Sequence, residues 1–408
     1  MLNFELIYFV QLLHCSIVMS PRQRFTVSLF HRFTKKIIFV LNLNTRSMAL
    51  KCGIVGLTLV GKTTIFNCFS NARAHAGGAL KANIGTIHVP DQRLYEIDKF
   101  IKSVKIVPAT VEIVDIPGLT KGGSQVEGSG NKFLADIQQT DAIIHVLRCF
   151  DDDTVPHIEG SVNPVRDREI VDLELQIRDL DMVERKINRT EKMAKSGERE
   201  PKHILDVLHK VKDHLENFQN VRTFVIPEED KKHINDMYLL TAKPVLYVCN
   251  VDEFSAAGGN AYSDEFKSAM AHENAEILIV AGKLEAEIAE LDDMEDRKAF
   301  LADAGLTEPG VNRLLQTAYH LLNLQSFFTA GPKEVRAWTI HKGETAQQAA
   351  GTIHSDLERG FIRAEVMKYA DFIHYGSEHA LKEAGKFHIE GKNYIVEDGD
   401  IMHVRFNV

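Results

Sequence analysis

Gly56-Leu57-Thr58-Leu59-Val60-Gly61-Lys62-Thr63 fits the spacing Gly-x-x-x-x-Gly-Lys-Ser/Thr, between the apolar run "KCGIVGL" and the helix-forming stretch "TTIFNCFSNA". The chemistry served by that pattern is the cradling of a phosphate chain. Glycines let backbone amides wrap a β-phosphate, Lys62 offsets charge on the β- and γ-phosphates, and Thr63 offers a hydroxyl to Mg²⁺. Asp115-Ile116-Pro117-Gly118 ends a second apolar strand, "ATVEIVDI". Alone it is a plain strand-to-loop turn. Beside a phosphate loop, Asp115 is suited to hold the Mg²⁺ shell and the Gly118 amide to approach a γ-phosphate.

A third cluster, Asn250-Val251-Asp252-Glu253, closes the run "LYVCN". Asn and Asp are common where a strand stops, so in isolation it reads as a turn. In the frame set by the phosphate loop it falls where Ras-class switches carry their base reader, Asn-Lys-x-Asp. There the Asp accepts two hydrogen bonds from guanine and the Lys stem packs on the base. Here Val251 and Glu253 replace them, and a carboxylate moved by one methylene loses the two-point geometry. The expectation is adenine over guanine. Leu119 stands where such switches carry the glutamine that orients water, so hydrolysis cannot use that side chain.

These residues must be positioned by a chain of 408 residues, which implies two or three domains with ample core. A net charge of -9 excludes a globally basic nucleic-acid binder; any RNA contact must be regional, and no DNA partner is expected. The five cysteines (Cys15, Cys52, Cys68, Cys149, Cys249) are odd in number and widely spaced. Neither a disulfide framework nor a zinc pair is indicated, and a reducing, cytoplasmic setting fits best. No segment approaches the roughly 20 apolar residues of a membrane span. Residues 1–47 hold two short apolar runs around a basic linker with Arg22, Arg24 and Arg32. A signal peptide puts charge before its apolar run, so this stretch reads as an extension, disordered or not native, with Met48 as the working start.

From Lys51 the runs "KCGIVGL", "ATVEIVDI", "DAIIHVLRC", "PVLYVCN" and "AEILIVAG" are nearly continuous in apolar residues, as expected of parallel strands buried on both faces. Strands alternating with helices predict a doubly wound α/β domain over 48–325. Between about 164 and 240 the alternation is interrupted. Ile170, Leu173, Ile177, Leu180, Val183 and Ile187 recur at helical steps, as do Ile204, Leu208, Val211, Leu215 and Phe218. That predicts an inserted antiparallel helical hairpin, whose far end carries Arg185, Lys186, Arg189, Lys192, Lys195, Arg199 and Lys202. Over 326–408, "VRAWTI" and "FIRAEVMKY" read as strands flanking a helix capped by a Thr. "KFHIEGKNYIV" reads as a hairpin around Glu390-Gly391-Lys392-Asn393, and "GDIMHVRFNV" as a closing strand. A β-grasp domain is the natural assembly.

The segments "KCGIVGLTLVGKTTIFN", "VEIVDIPGLTKGGS", "EGSGNKFLADIQQTDAIIHVLRCF", "CNVDE" and "GFIRAEVMKYADFIHYGS…GKNYIVEDGDIMHVRFNV" together resemble the YchF/Obg-like ATPases, from about Met48 to Val408. The resemblance implies a P-loop G domain with an inserted hairpin, a C-terminal TGS domain, preference for ATP, Mg²⁺ dependence and association with the ribosome through its RNA. By position, Leu59, Val60, Gly61, Lys62, Thr63 and Thr64 would embrace the phosphates. Thr63 and Asp115 would serve the metal, and Val251 beside Asn250 would contact adenine. The loop departs from the family in carrying Thr58 and Leu59 for Pro and Asn. The family's Phe-Cys-Thr-Ile-Glu-Pro-Asn stretch is replaced by the shorter "HAGGALKANIGTIHVPD", with Thr86 inside the following strand. Slow ATP hydrolysis is therefore expected, with Lys62 essential. A ribosome-binding module with a nearly inert site is the alternative, and an Obg-like GTPase the third reading.

Overall fold

In the computed structural model, residues 51–70, 83–118, 129–194, 199–273, 275–291 and 293–407 are described. The extension over 1–47, Leu119 and Lys195 lie outside the described residues. β1 (Lys51–Val55) runs into the glycine loop and α1 (Lys62–Ser70). β2 (Asn83–His88), α2 (Gln92–Ile101), the two-residue β3 (Ile106–Val107) and β4 (Thr110–Asp115) follow. Next come α3 (Ser129–Gln138) and β5 (Ala142–Cys149). The insertion supplies α4 (Pro164–Ala194), α5 (Arg199–Glu216) and α6 (Glu228–Asn235). The chain then returns to the sheet through β6 (Val245–Val251), α7 (Ala261–Met270), β7 (Glu276–Val280) and α8 (Gly282–Glu290).

The first sheet has the order β2-β4-β1-β5-β6-β7. It is parallel except for β2, which pairs antiparallel with β4 and carries Thr86 opposite Glu112. Every residue of β5 and β6 is buried, which is why these runs are apolar on both faces. The strand ends therefore bring the glycine loop, Asp115 and Asn250 to one edge.

The insertion departs from the expected spacing near its base. Leu173 and Ile177 are exposed, while Asp172, Gln176 and Asp179 are buried in their place. The physical reason is pairing. Gln176 Nε2 donates to Asn220 Oδ1 (2.9 Å), Asn220 Nδ2 donates to Asp172 Oδ2 (2.9 Å), and Asp179 accepts from Leu240 N (2.8 Å), Thr241 N (2.7 Å) and Thr241 Oγ1 (2.6 Å). A polar face satisfied in this way packs as well as an apolar one. Phe218 is likewise exposed, at a φ of 57° beyond the end of α5. Farther out the spacing holds: Val183 and Ile187 meet Leu208, Val211, Leu215 and Ile234 in a separate small core. At the basic end, Lys186 is committed to the fold, donating to His233 O (2.6 Å) and Asp236 Oδ1 (2.5 Å), and Arg185 pairs with Asp181.

α9 (Met294–Asp303) and α10 (Gly310–Leu321) lead to β8 (Leu324–Ala330) and β9 (Val335–His341). Thr345 caps α11 (Ala346–Ile353) in a reciprocal box with Gln348, and α12 (Ser355–Arg359) continues to β10 (Phe361–Met367). α13 (Tyr369–Tyr375), α14 (Glu378–Glu383), β11 (Phe387–Glu390) and β12 (Ile401–Phe406) complete the chain. The second sheet has the order β11-β10-β12-β8-β9-β3, so β3 from the front half is its edge. The hairpin expected around Glu390-Gly391-Lys392-Asn393 does not form. β11 pairs with β10, and the following residues turn to α11: Tyr394 O accepts from Ala346 N (2.7 Å) and Ile395 bridges Thr345. Tyr394 OH is held by Lys368 Nζ and Asp400 Oδ2, each at 2.7 Å, and these bonds outcompete an edge pairing. Among the described residues no helix is long and apolar enough to cross a membrane.

Asp179 carries the joint between the insertion and the sheet domain. Burial outweighs its three donors and raises its carboxyl to about 6. Its folded pKa thus lies above the ordinary value of about 3.9, so its contribution is fully present below about pH 4 and is lost as pH rises through about 6. Asp179→Ala strands two buried amides and a hydroxyl. We expect the urea midpoint to fall by the equivalent of about 2–4 kcal/mol with an unchanged denaturant slope.

Candidate functional site

β1 gives way to Gly56, at a φ of 147°, where a Cβ would stand 2.4 Å from Val146 O. At Gly61 the φ is 96° and a Cβ would stand 2.2 Å from Asn250 Nδ2. Both positions need glycine, one to turn away from β5 and the other to let the loop lie against β6. Between them Leu59 also takes a left-handed φ of 62° and is exposed. Lys62 opens α1 and is buried, with Nζ donating back to Leu57 O at 2.5 Å. A Cβ on Gly118 would stand 2.5 Å from that ammonium, so the loop after β4 lies directly over it.

Thr63 Oγ1 donates to Asp115 Oδ2 at 2.9 Å, across the step from α1 to β4. Both charge carriers are poorly solvated. Burial pushes the Lys62 ammonium down to about 8 against the pull of Asp115. Burial likewise raises the Asp115 carboxyl, against the Thr63 hydrogen bond and the Lys62 charge. A hydroxyl and a carboxylate oxygen, side by side beneath a glycine loop, are the hard oxygen donors that Mg²⁺ takes, so the residues present fit that ion.

A cavity of about 530 Å³ opens from the loop toward the ends of β5 and β6. Its walls include Leu59, Gly61, Lys62, Thr63 and Thr64 on the loop side, and Asn250, Val251, Asp252 and Glu253 opposite. The four residues of that second cluster have different employment. Asn250 is 5% exposed: Nδ2 donates to Val60 O (2.9 Å) and Oδ1 accepts from Gly282 N (2.9 Å). Val251 is buried in the strand. Asp252 accepts from Ser255 N (3.1 Å) and Ser255 Oγ (2.8 Å); although desolvation works the other way, these bonds hold its carboxyl below the usual range. Glu253 is ion-paired with Lys283 of α8.

Gly56 and Gly118 shape the site from behind and above, and neither lines the cavity. Sequence reasoning did not single out Phe150, Asp151, Asp152, Val155 or Lys283, which also wall it. The stretch after β5 is folded under the cavity by Arg148, whose guanidinium donates to Phe150 O (3.1 Å), Asp152 O (3.1 Å) and Val155 O (2.9 Å). The available signal was a buried arginine ending an apolar strand.

This combination of loop, strand order and second sheet is shared with known proteins. A family model described as "50S ribosome-binding GTPase" matches residues 51–210, and one named YchF-GTPase_C, described as "Protein of unknown function", matches residues 324–407. "Ribosome-binding ATPase YchF" of Haemophilus influenzae is 47% identical over 365 residues, spanning 88% of this chain and 100% of its own length. Its Bacillus subtilis namesake is 44% identical over 367 residues, with the same coverage of 88% and 100%. The solved structure of the Schizosaccharomyces pombe YchF GTPase superposes with a TM-score of 0.78 at 34% identity, covering 88% of this chain and 98% of that one. With a P-loop domain, an inserted helical hairpin and a C-terminal β-grasp sheet in one continuous match, the chain belongs to the YchF family.

Proposed function

We propose that this chain is a cytoplasmic, ribosome-associated protein that binds ATP with Mg²⁺ between its glycine loop and β6 and hydrolyses it slowly. One observation carries the nucleotide part: Lys62 is buried in the wall of an open cavity and Asp115 is buried behind the neighbouring Thr63, each disfavoured in its charged form. A triphosphate would supply the anion that Lys62 lacks. In this reading the amides from Leu59 to Thr64 and that of Gly118 hold the phosphates, and Thr63 and Asp115 hold Mg²⁺. When bound, the ion neutralises charge on the phosphoryl oxygens. Lys62 exchanges the Leu57 carbonyl for phosphate oxygens and stabilises the charge that develops on them. Val251 and Glu253 border the base, and Asn250 serves by holding the loop.

Base preference follows from the two carboxylates at the far end. Asp252 is spent on Ser255 and Glu253 on Lys283, so neither is free to accept two bonds from guanine. Ribosome association is supported by the relatives, which bear the name ribosome-binding ATPase, and by the exposed Arg189, Lys192 and Lys202 of the insertion. We place the domain limits at 48–325 for the G domain, with its insertion at about 164–240, and at 326–408 for the TGS domain.

In competition titrations ATP should bind more tightly than GTP. GTP binding at least tenfold tighter, about 1.4 kcal/mol, would overturn the preference for ATP. Turnover of the isolated protein should stay well below about 10 s⁻¹, the rate of a typical enzyme, and Lys62→Ala should abolish it. An ATP-binding protein with no Lys62-dependent turnover would be the nearly inert module.

Docking should use other surfaces. In co-sedimentation with ribosomes, a variant with Glu at Arg189, Lys192 and Lys202 should bind less and show a weaker salt dependence, while Lys62→Ala should bind like the parent. Equal binding of all three across a salt series would remove the insertion from the docking surface.

A further inference from the structure

Away from the nucleotide pocket, His203 of α5 and Asp230 and His233 of α6 face one another. One ligand atom from each lies within 4.8 Å of the other two. His203 Nε2 is 2.6 Å from Asp230 Oδ1, and the rings of His203 and His233 meet edge to face at 6.0 Å. Asp230 and His233 are three apart on one helix, so both project from the same face toward α5. We propose that these three residues form a site for a borderline divalent transition ion, Zn²⁺ in the first instance, that clamps α6 onto α5.

The donor chemistry selects the ion. Two imidazole nitrogens and one carboxylate oxygen, with a position left for water, suit Zn²⁺ and are unlike the all-oxygen set at Thr63 and Asp115. Four donors at bonds of about 2.1 Å stand about 3.4 Å apart, so His203 and Asp230 must separate slightly and the third donor close in. The site allows this. The Asp230 side chain is only 10% exposed and fixed on its helix, whereas that of His203 is 57% exposed and free to adjust. Charge around the site is mixed. Glu228 and Glu229 precede the cluster in α6, but Glu228 is paired with Lys231. Lys186, bonded to the His233 carbonyl oxygen, opposes a cation, although Asp236 neutralises it.

The clamp would act on the insertion's own small core. α6 contributes Ile234 to a small core built from Val183, Val207, Leu208 and Val211, separate from the main core of the chain. Cores of this size gain most from a cross-link, and a metal that binds only the folded form stabilises it by mass action.

The test uses the full chain, dialysed against chelator and titrated with ZnCl₂, with Co²⁺ as an absorption probe. The parent should take up one Zn²⁺ that raises Tm. His203→Ala and His233→Ala should each weaken that uptake by about tenfold or more and lose the Tm shift. Bound Co²⁺ should absorb in the visible without a sulfur charge-transfer band. His203→Ala also removes the partner of the buried Asp230, so each variant is compared with itself with and without Zn²⁺; a parent-like circular dichroism spectrum with no Zn²⁺-induced rise in Tm separates lost ligation from misfolding. The proposal is overturned if both variants bind Zn²⁺ like the parent, if a sulfur band assigns the ion to cysteine, or if about 100 µM Zn²⁺ leaves the parent unbound.

Discussion

Asn250, buried at the end of β6, gives one arm of its carboxamide to Val60 O and the other to Gly282 N. These two backbone groups belong to the glycine loop and to the start of α8, which otherwise share no covalent or strand connection. The Asn250 carboxamide, a neutral group paired at both its nitrogen and its oxygen, therefore ties the glycine loop to α8. Gly61 has to be glycine because any side chain would strike that amide, and a Cβ on Gly282 would sit 3.0 Å from its oxygen. Removing the carboxamide would leave a buried carbonyl and a buried amide unpaired, at about 1–3 kcal/mol each.

The strand that carries Asn250 also carries the attachment of the helical insertion. Tyr247 OH accepts from Arg222 (3.1 Å) and Arg168 (3.3 Å), and Arg168 is paired with Asp172 (2.6 Å) and with Glu273. Asp172 in turn accepts from Asn220 (2.9 Å). The proposed nucleotide pocket and the insertion thus share β6, three residues apart, and the buried polar face at the base of α4 is what makes the joint specific. An apolar interface of the same area would bury as well but would not set the register of the helix on the sheet.

Much of this was legible from residue order. Continuous apolar runs marked β1, β4, β5 and β6, because strands largely buried on both faces have no polar alternation to hide, and the same pattern marked the edge strand β7, which is only partly buried. The phosphate loop was legible because its glycines answer a backbone requirement that no other residue meets. Leu173 and Ile177 misled because helical periodicity assumes that the buried face is the apolar one, and here Asp172, Gln176 and Asp179 are buried with partners 44 to 61 residues away in the chain. The segment after β11 misled for a related reason: Tyr394 and Ile395 have strand character, but Lys368, Asp400 and the first turn of α11 claim them. Partners distant in sequence decide such cases, and local pattern carries no trace of them.

The most direct test concerns how Asn250 acts. If it holds the loop, Asn250→Ala should weaken ATP and GTP together, by about 1–3 kcal/mol each, and leave the ratio of their dissociation constants as in the parent protein. If it reads the base, the two affinities will part, and a change in that ratio of about tenfold would contradict a loop-holding role for Asn250.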